Sequence, residues 1–115
     1  MRKAFFVVAM ALLLIGLASA QSKQQGASGR LLTGRVLDRE DSPVANSVVY
    51  LTNTRTRAVK TYIVGKDGGY RFPALSQNID YEVYAQFNGR KSDTKTVSQF
   101  DSRPNVNINL KVDTK

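Results

Sequence analysis

The residues that could carry chemistry in this chain are carboxylates, lysines and hydroxyls, because its 115 residues include no histidine and no cysteine. The commonest general base, the thiol nucleophile and the soft metal ligands are therefore missing. Serine catalysis would need a lysine base, and no serine–lysine pair follows a recognisable catalytic pattern. Lys66–Gly69 has too few glycines to form a phosphate-binding loop. The sequence predicts a protein that is not an enzyme and has no catalytic residues, no cofactor and no metal.

Carboxylates are concentrated in one turn, where Asp38, Glu40 and Asp41 lie within four residues before Pro43. Calcium binding is one interpretation, but an EF-hand loop also needs a glycine and a later glutamate at fixed offsets, and both are missing. A solvated turn is the favoured interpretation. The other candidate acids are scattered over turns, except for Glu82, which lies within a predicted strand and is expected to point outward. This distribution argues against the paired carboxylates of a glycosidase.

Three tyrosines form the first candidate binding surface. Tyr50, Tyr62 and Tyr84 fall on the polar phases of their predicted strands, so their rings are expected at the surface. Sugar rings stack on exposed aromatic faces, which would suit a carbohydrate-binding module. The alternative is that these tyrosines are ordinary strand-forming residues. The absence of tryptophan counts against strong sugar binding.

Basic residues form the second candidate surface, with Arg55, Arg57 and Lys60 around one predicted turn. Two of the 17 basic residues lie within residues 1–20 and all nine acidic residues lie beyond, so the remainder carries a net charge of +6 (15 basic against nine acidic). This charge favours anionic surfaces, such as a protein or a cell-envelope polysaccharide. A simple solvated surface is the alternative.

The N-terminus resembles a secretory signal over residues 1–20. Arg2 and Lys3 precede an uncharged apolar run from Ala4 to Leu17, and Ala18-Ser19-Ala20 supplies the small residues that a signal peptidase accepts. The alternative is a membrane anchor, but the run is shorter than the roughly 20 residues that span a bilayer. We expect a periplasmic or secreted protein with no membrane span after cleavage, for which nucleic acid is the least favoured partner.

Residues 21–30 are polar, without periodicity, and predict a flexible tether. Residues 31–113 predict one domain of seven short strands separated by turn signals. No helical period occurs after residue 20. The predicted strands are Leu31–Asp38, Ser47–Thr52, Val59–Val64, Tyr70–Phe72, Asp80–Phe87, Thr94–Val97 and Asn105–Val112.

The centre of this pattern is the stretch from Val64 to Phe72. Its Asp67-Gly68 pair is a strong hairpin signal, because glycine accepts a positive φ. Tyr70 and Phe72 then share one face, and Pro73 is expected to end the strand. In the last strand, Val106, Ile108, Leu110 and Val112 share a face, and these two apolar faces are expected to meet across a sandwich.

The order of these motifs resembles the carboxypeptidase regulatory-like domain. The residues that show this resemblance are Gly34–Asp38, Pro43-Val44-Ala45, Val49-Tyr50-Leu51, Asp67–Phe72 with Leu75, and Tyr81-Glu82-Val83. The resemblance implies an all-β, seven-stranded Greek-key sandwich of the transthyretin (prealbumin) type, acting as an accessory module in an exported protein.

Single residues distinguish this chain from two related families. Transthyretin-like hydrolases rely on histidines, which this chain lacks. Collagen-adhesin B-type domains often crosslink a first-strand lysine to a last-strand asparagine, and the first strand here offers Arg35, which cannot act as the amine nucleophile. Two functions stay open: a non-catalytic module for protein or cell-surface interaction, and a carbohydrate-binding module that uses the exposed tyrosines.

Overall fold

The computed structural model describes residues 29–115, so the predicted signal and residues 21–28 of the predicted tether lie outside the described residues. The described part is all-β, as predicted, and forms a sandwich of two sheets. Its strands are β1 (Arg30–Leu37), β2 (Val48–Asn53), β3 (Val59–Ile63), β4 (Gly69–Leu75), β5 (Tyr81–Phe87), β6 (Arg90–Lys91), β7 (Lys95–Val97), β8 (Asn105–Asn107) and β9 (Leu110–Lys111).

Eight of the nine segments fall on the seven predicted strands, the last of which is interrupted between β8 and β9, and the short β6 was not predicted. In one sheet β1 lies between β4 and the pair β8 and β9, which both run parallel to it. The other sheet has the order β3-β2-β5, with β6 and β7 both antiparallel to β5. The hairpin predicted at Asp67-Gly68 does not form, because β3 pairs with β2 and β4 pairs with β1 in the opposite sheet. The chain crosses between the sheets at this turn, and the connections form a Greek key.

The core lies between the sheets and follows the predicted alternation. The inner side chains of β2 and β5, including Val49, Leu51 and Val83, are buried, and so are Leu32 and Val36 on β1. Tyr81, Val83 and Ala85 were predicted to share a face of β5, and all three are buried, because successive residues of a strand point to opposite faces.

Tyr70 and Phe72 do not oppose the last strand as predicted. They lie on β4, in the same sheet as β8 and β9 and on the other side of β1, so both apolar faces line one inner surface of the sandwich. The phase of each strand was right and the assignment to opposite sheets was wrong. Alternation specifies a face of a strand but carries no information about which sheet the strand joins.

The interruption between β8 and β9 is explained by Gly34. A Cβ added there would lie 1.7 Å from the carbonyl oxygen of Ile108, so only glycine lets the last strand approach so closely. The Tyr70 hydroxyl donates a hydrogen bond of 2.7 Å to that oxygen. Burial raises the pKa of Tyr70 because it disfavours the charged phenolate.

Pro73 does not end β4, which continues to Leu75. The register moves from Leu32 opposite Phe72 to Arg30 opposite Leu75, so β4 carries one extra residue and forms a bulge. Because β4 is an edge strand, the missing amide hydrogen of Pro73 faces away from the ladder and costs no bond.

Arg30, which was predicted to lie in the tether, is instead the first residue of β1 and is 2% exposed. Its guanidinium donates to the carbonyl oxygens of Ser98 and Ser76, each at 2.8 Å, and to those of Asp101 and Ile79, each at 3.2 Å. This side chain therefore connects two loops at one end of the sandwich.

Candidate functional site

Tyr50 and Tyr84 lie on the outer face of the second sheet, directly opposite each other on β2 and β5. Their rings stack with centroids 5.0 Å apart and planes inclined by 15°. The Lys91 ammonium lies 4.3 Å from the centroid of Tyr84. These contacts occupy aromatic faces that a sugar ring would need, and both residues are only half exposed.

Tyr62 lies on the opposite face of that sheet, so the prediction that it occupies the polar phase of its strand is wrong. It pairs with the buried Val49 across the β2–β3 ladder and makes an edge-to-face contact with Phe72, with centroids 6.0 Å apart. It is nevertheless 38% exposed, because β3 lies at the open rim of the sandwich. The three tyrosines therefore do not form one platform.

Lys60 also points to the inner side of β3, opposite Leu51. It lines a shallow cleft of about 90 Å³ at the rim, together with Ala74, Leu75 and Tyr81. Its aliphatic stem can pack along this apolar wall while the ammonium stays in water.

Arg55 and Arg57 lie in the turn between β2 and β3, and both are exposed. The Asn53 side-chain oxygen accepts the backbone amides of Arg55 and Thr56, which fixes the turn as its short polar side chain predicts. The Arg55 guanidinium donates to the Asn78 carbonyl oxygen at 3.0 Å, whereas Arg57 adopts a positive φ of 69°.

Carboxylates do not neutralise this basic group. Five ion pairs occur among residues 29–115, and none includes Arg55, Arg57 or Lys60. The acidic turn that was considered for calcium is instead engaged in the fold. Asp38 accepts the backbone amides of Glu40 and Ser42, Asp41 pairs with Lys111, and Glu40 lies 3.7 Å from Lys115.

An apolar strip that the sequence pattern did not predict lies beside the basic group. Val59 and Ile63 lie on the outer side of β3 and are 54% and 71% exposed. Their β-branched character predicted a strand, but it did not show that the strand lies at the edge of its sheet. Phe100, in the loop before β8, is also exposed at 87% and was not singled out.

A polar cleft of about 260 Å³ lies at the end of the sandwich that Arg30 closes. Its lining residues are Arg30, Gln77, Asn78, Gln99, Asp101 and Ser102. The side-chain hydrogen bond from Arg103 lowers the pKa of Asp101 to about 2. The guanidinium groups of Arg30 and Arg103 donate hydrogen bonds to carbonyl oxygens and to Asp101, so they stabilise the loops at this end.

The buried hydroxyls in the described part of the chain bond to the backbone. Ser47 donates to the Val44 carbonyl oxygen at 2.9 Å. Ser92 accepts the Ala85 amide at 2.8 Å and donates to the Asp93 carbonyl oxygen. These bonds fix the two hydroxyls to the backbone.

The carboxypeptidase regulatory-like domain is the family whose model matches this chain, over residues 32–112. No curated protein sequence matches the chain at a significant level. No helix in the described range 29–115 has the length and apolar character to cross a membrane.

Solved structures with a similar fold come from functionally different proteins. The major pilin subunit BcpA of Bacillus cereus superposes with a TM-score of 0.57 at 10% identity, over 76% of this chain and 31% of that one. Catechol 1,2-dioxygenase from Acinetobacter gives 0.56 at 12% identity, over 78% and 54%. A dioxygenase domain from a Streptomyces carbohydrate-binding fusion gives 0.53 at 17%, over 80% and 85%. This chain thus spans about a third of the pilin subunit and about half of the catechol dioxygenase. These similarities concern the fold alone.

Proposed function

Because this chain belongs to the carboxypeptidase regulatory-like domain family, we propose that it is an exported, non-catalytic β-sandwich module that binds a protein partner bearing acidic residues. The observation that carries the proposal is the rim at β3. There Arg55, Arg57 and Lys60 have no carboxylate partner among the described residues, next to the exposed apolar Val59 and Ile63. We call these five residues the β3 rim.

The composition of the β3 rim suits a protein partner. Exposed apolar side chains contribute to affinity when a partner covers them, and the neighbouring cations select a complementary surface and raise the association rate. A neutral sugar would instead need a free aromatic platform, and one ring face of Tyr50 is stacked on Tyr84, whose ring also contacts Lys91.

The non-catalytic part of the proposal is supported by the side chains available. The sequence has no histidine or cysteine, and the buried serines bond to backbone groups. The dioxygenase structures share the fold at 17% identity or less, and a shared fold carries no activity with it.

The test compares two double charge reversals with the same net charge. Arg55→Glu/Arg57→Glu changes the β3 rim, whereas Arg90→Glu/Lys95→Glu changes basic residues after β5. Binding of each protein to immobilised poly-L-glutamate, polygalacturonate and dextran is measured by biolayer interferometry at 50 and 500 mM NaCl. These probes stand for an acidic protein, an acidic polysaccharide and a neutral glycan.

We expect poly-L-glutamate to bind the wild type best, with a loss of tenfold or more on reversal at Arg55 and Arg57 and a smaller loss for the control. High salt should weaken the binding, because exposed charges are screened over about 8 Å at physiological ionic strength. Equal losses in both double variants would overturn the β3 rim as the site. Salt-independent dextran binding that Tyr50→Ala abolishes would favour a carbohydrate-binding module. Turnover of a peptide, ester or glycoside by the pure protein would overturn the non-catalytic assignment.

A further inference from the structure

The sandwich has four sheet edges, and three of them are built in ways that hinder pairing with another chain. The edge strand β4 contains Pro73 and a bulge, and Ala74 has a positive φ of 61°. The edge formed by β8 and β9 is interrupted at Ile108-Asn109. The edge formed by β6 and β7 is divided into segments of two and three residues. Short strands, prolines and bulges are the usual means by which proteins keep sheet edges from pairing.

The fourth edge, β3, has no proline, bulge or interruption. Its one charged residue, Lys60, points to the inner side of the sheet, where it opposes a cationic neighbouring strand. All five of its residues pair with β2 in continuous register, from Val48 opposite Ile63 to Thr52 opposite Val59. The strand contains no proline or glycine, and all five residues are exposed. Its outer side carries Val59, Thr61 and Ile63, which are uncharged and β-branched and therefore suit a further neighbouring strand.

The backbone of these same three residues faces the open edge. Val64 donates its amide to the Ser47 carbonyl oxygen, and Asn53 donates to the Ala58 carbonyl oxygen. In an antiparallel ladder such hydrogen-bonded positions recur every second residue, so Lys60 and Tyr62 also bond toward β2. Val59, Thr61 and Ile63 consequently direct their amide and carbonyl groups away from β2.

We propose that β3 is a docking edge to which an extended segment of the partner protein adds as a further strand, with acidic side chains beside Lys60 and Tyr62. This inference rests on the proposed function and adds the binding mode. An added strand places alternate side chains on the two sides of the sheet. Residues beside Val59, Thr61 and Ile63 would be apolar, and residues beside Lys60 would be acidic.

Charge selects this occupant over a second copy of the chain. Arg57 precedes β3, Lys60 lies within it and Lys66 follows it, and none of them pairs with a carboxylate among residues 29–115. A second copy on β3 would bring the same three cations to the seam, where like charges repel. A strand that carries glutamate or aspartate on one side supplies the complementary charge.

The experiment uses a blocked seven-residue peptide of alternating valine and glutamate, and a control peptide in which lysine replaces each glutamate. Binding is followed by NMR through the amide shifts of the isotopically labelled protein. The key variants are Thr61→Pro, which removes one outward amide hydrogen and leaves the β2 ladder intact, and Thr61→Val, which keeps that hydrogen. Lys60→Glu reverses the charge that should select the peptide.

We expect the valine–glutamate peptide to shift the amides of Val59, Thr61 and Ile63 most. Thr61→Pro should weaken its binding at least tenfold, and Thr61→Val should change it less than twofold. Lys60→Glu should reverse the preference toward the valine–lysine peptide. Because this change in peptide preference is measured without a proline substitution, it tests the proposal even if Thr61→Pro lowers the melting temperature.

Equal binding by Thr61→Pro and Thr61→Val, or shifts confined to other strands, would overturn strand addition. If poly-L-glutamate still bound through Arg55 and Arg57 in that case, the proposed function would stand and only the binding mode would fall. Reversible dimers of the wild type in sedimentation experiments, lost in Thr61→Pro, would instead identify a second copy as the occupant and overturn the acidic partner.

Discussion

Replacing Gly34 by alanine tests how the last strand is held against the first. The added methyl group would lie 1.7 Å from the Ile108 carbonyl oxygen and 2.7 Å from a ring carbon of Tyr70. Overpacking of this kind costs about 1–3 kcal/mol. The Ile108 carbonyl must move, which breaks the hydrogen bond from the Tyr70 hydroxyl and leaves a buried polar group unpaired, at about 1–3 kcal/mol more. We expect the variant to lose roughly 2–6 kcal/mol of the ~5–15 kcal/mol typical of a domain.

Thermal unfolding followed by circular dichroism measures this loss, with Gly65→Ala as the matched control. At Gly65 the nearest atom to an added Cβ is 4.0 Å away, so that variant should melt close to wild type. For a domain of this size each 1 kcal/mol shifts Tm by about 4–8 °C, so Gly34→Ala should melt at least 8 °C lower. Tyr70→Phe should destabilise the wild type more than it destabilises Gly34→Ala, because the hydrogen bond is already lost there. A Gly34→Ala protein that melts within 3 °C of wild type would refute this account of the strand interruption.

Three further outcomes are expected. Phe72→Ala removes a ring that is 5% exposed and packs on Tyr62 and Tyr70, so it should cost roughly 3–5 kcal/mol and leave little folded protein; a melting temperature near that of wild type would remove Phe72 from the core. N-terminal sequencing of the exported protein should begin at Gln21, and a membrane-bound form that keeps Met1 would contradict the predicted signal. The hydrogen bond from Arg103 lowers the pKa of Asp101 to about 2. Any stability from this pair is therefore present above the unfolded pKa of about 4 and is lost as pH falls through about 2; an NMR titration of Asp101 with a midpoint near 4 would disprove the pairing.

The sequence was sufficient to predict most of the strands and their buried phases, because alternation is a local property. Tyr81, Val83 and Ala85 are buried on one face of β5 as predicted, and so are Val106 and Leu110 in the last strand. The break between β8 and β9 was not predictable, since the eight residues from Asn105 to Val112 alternate without a fault. Its cause is the approach to Gly34, more than seventy residues earlier, and no local pattern contains that contact.

The candidate surface was predicted only in part. Arg55 and Arg57 were identified as exposed because a turn of polar residues is readable from sequence. Lys60 was also identified as exposed, whereas Tyr62 was assigned to the wrong face because at an edge strand the inner face is also solvated. An alternating strand at a rim shows the same mixture of polar and apolar residues on both sides, so the inner face gives no clear hydrophobic signal.

The position of β3 connects the fold to the proposed function. In a Greek key the chain leaves the second sheet after β3 and enters the first as β4, so β3 ends as an edge without a following neighbour in its own sheet. The other edges carry Pro73 and its bulge or are interrupted, and the bulge and the interruptions cost ladder hydrogen bonds or strand length. The edge at β3 keeps its full register and exposes β-branched side chains, and its flanking cations form no ion pair among residues 29–115. Stability alone does not require this combination. We therefore expect partner binding to determine which residues are accepted at Val59, Thr61 and Ile63. Uncharged β-branched replacements at these positions should preserve binding. Thr61→Lys should abolish binding without lowering the melting temperature.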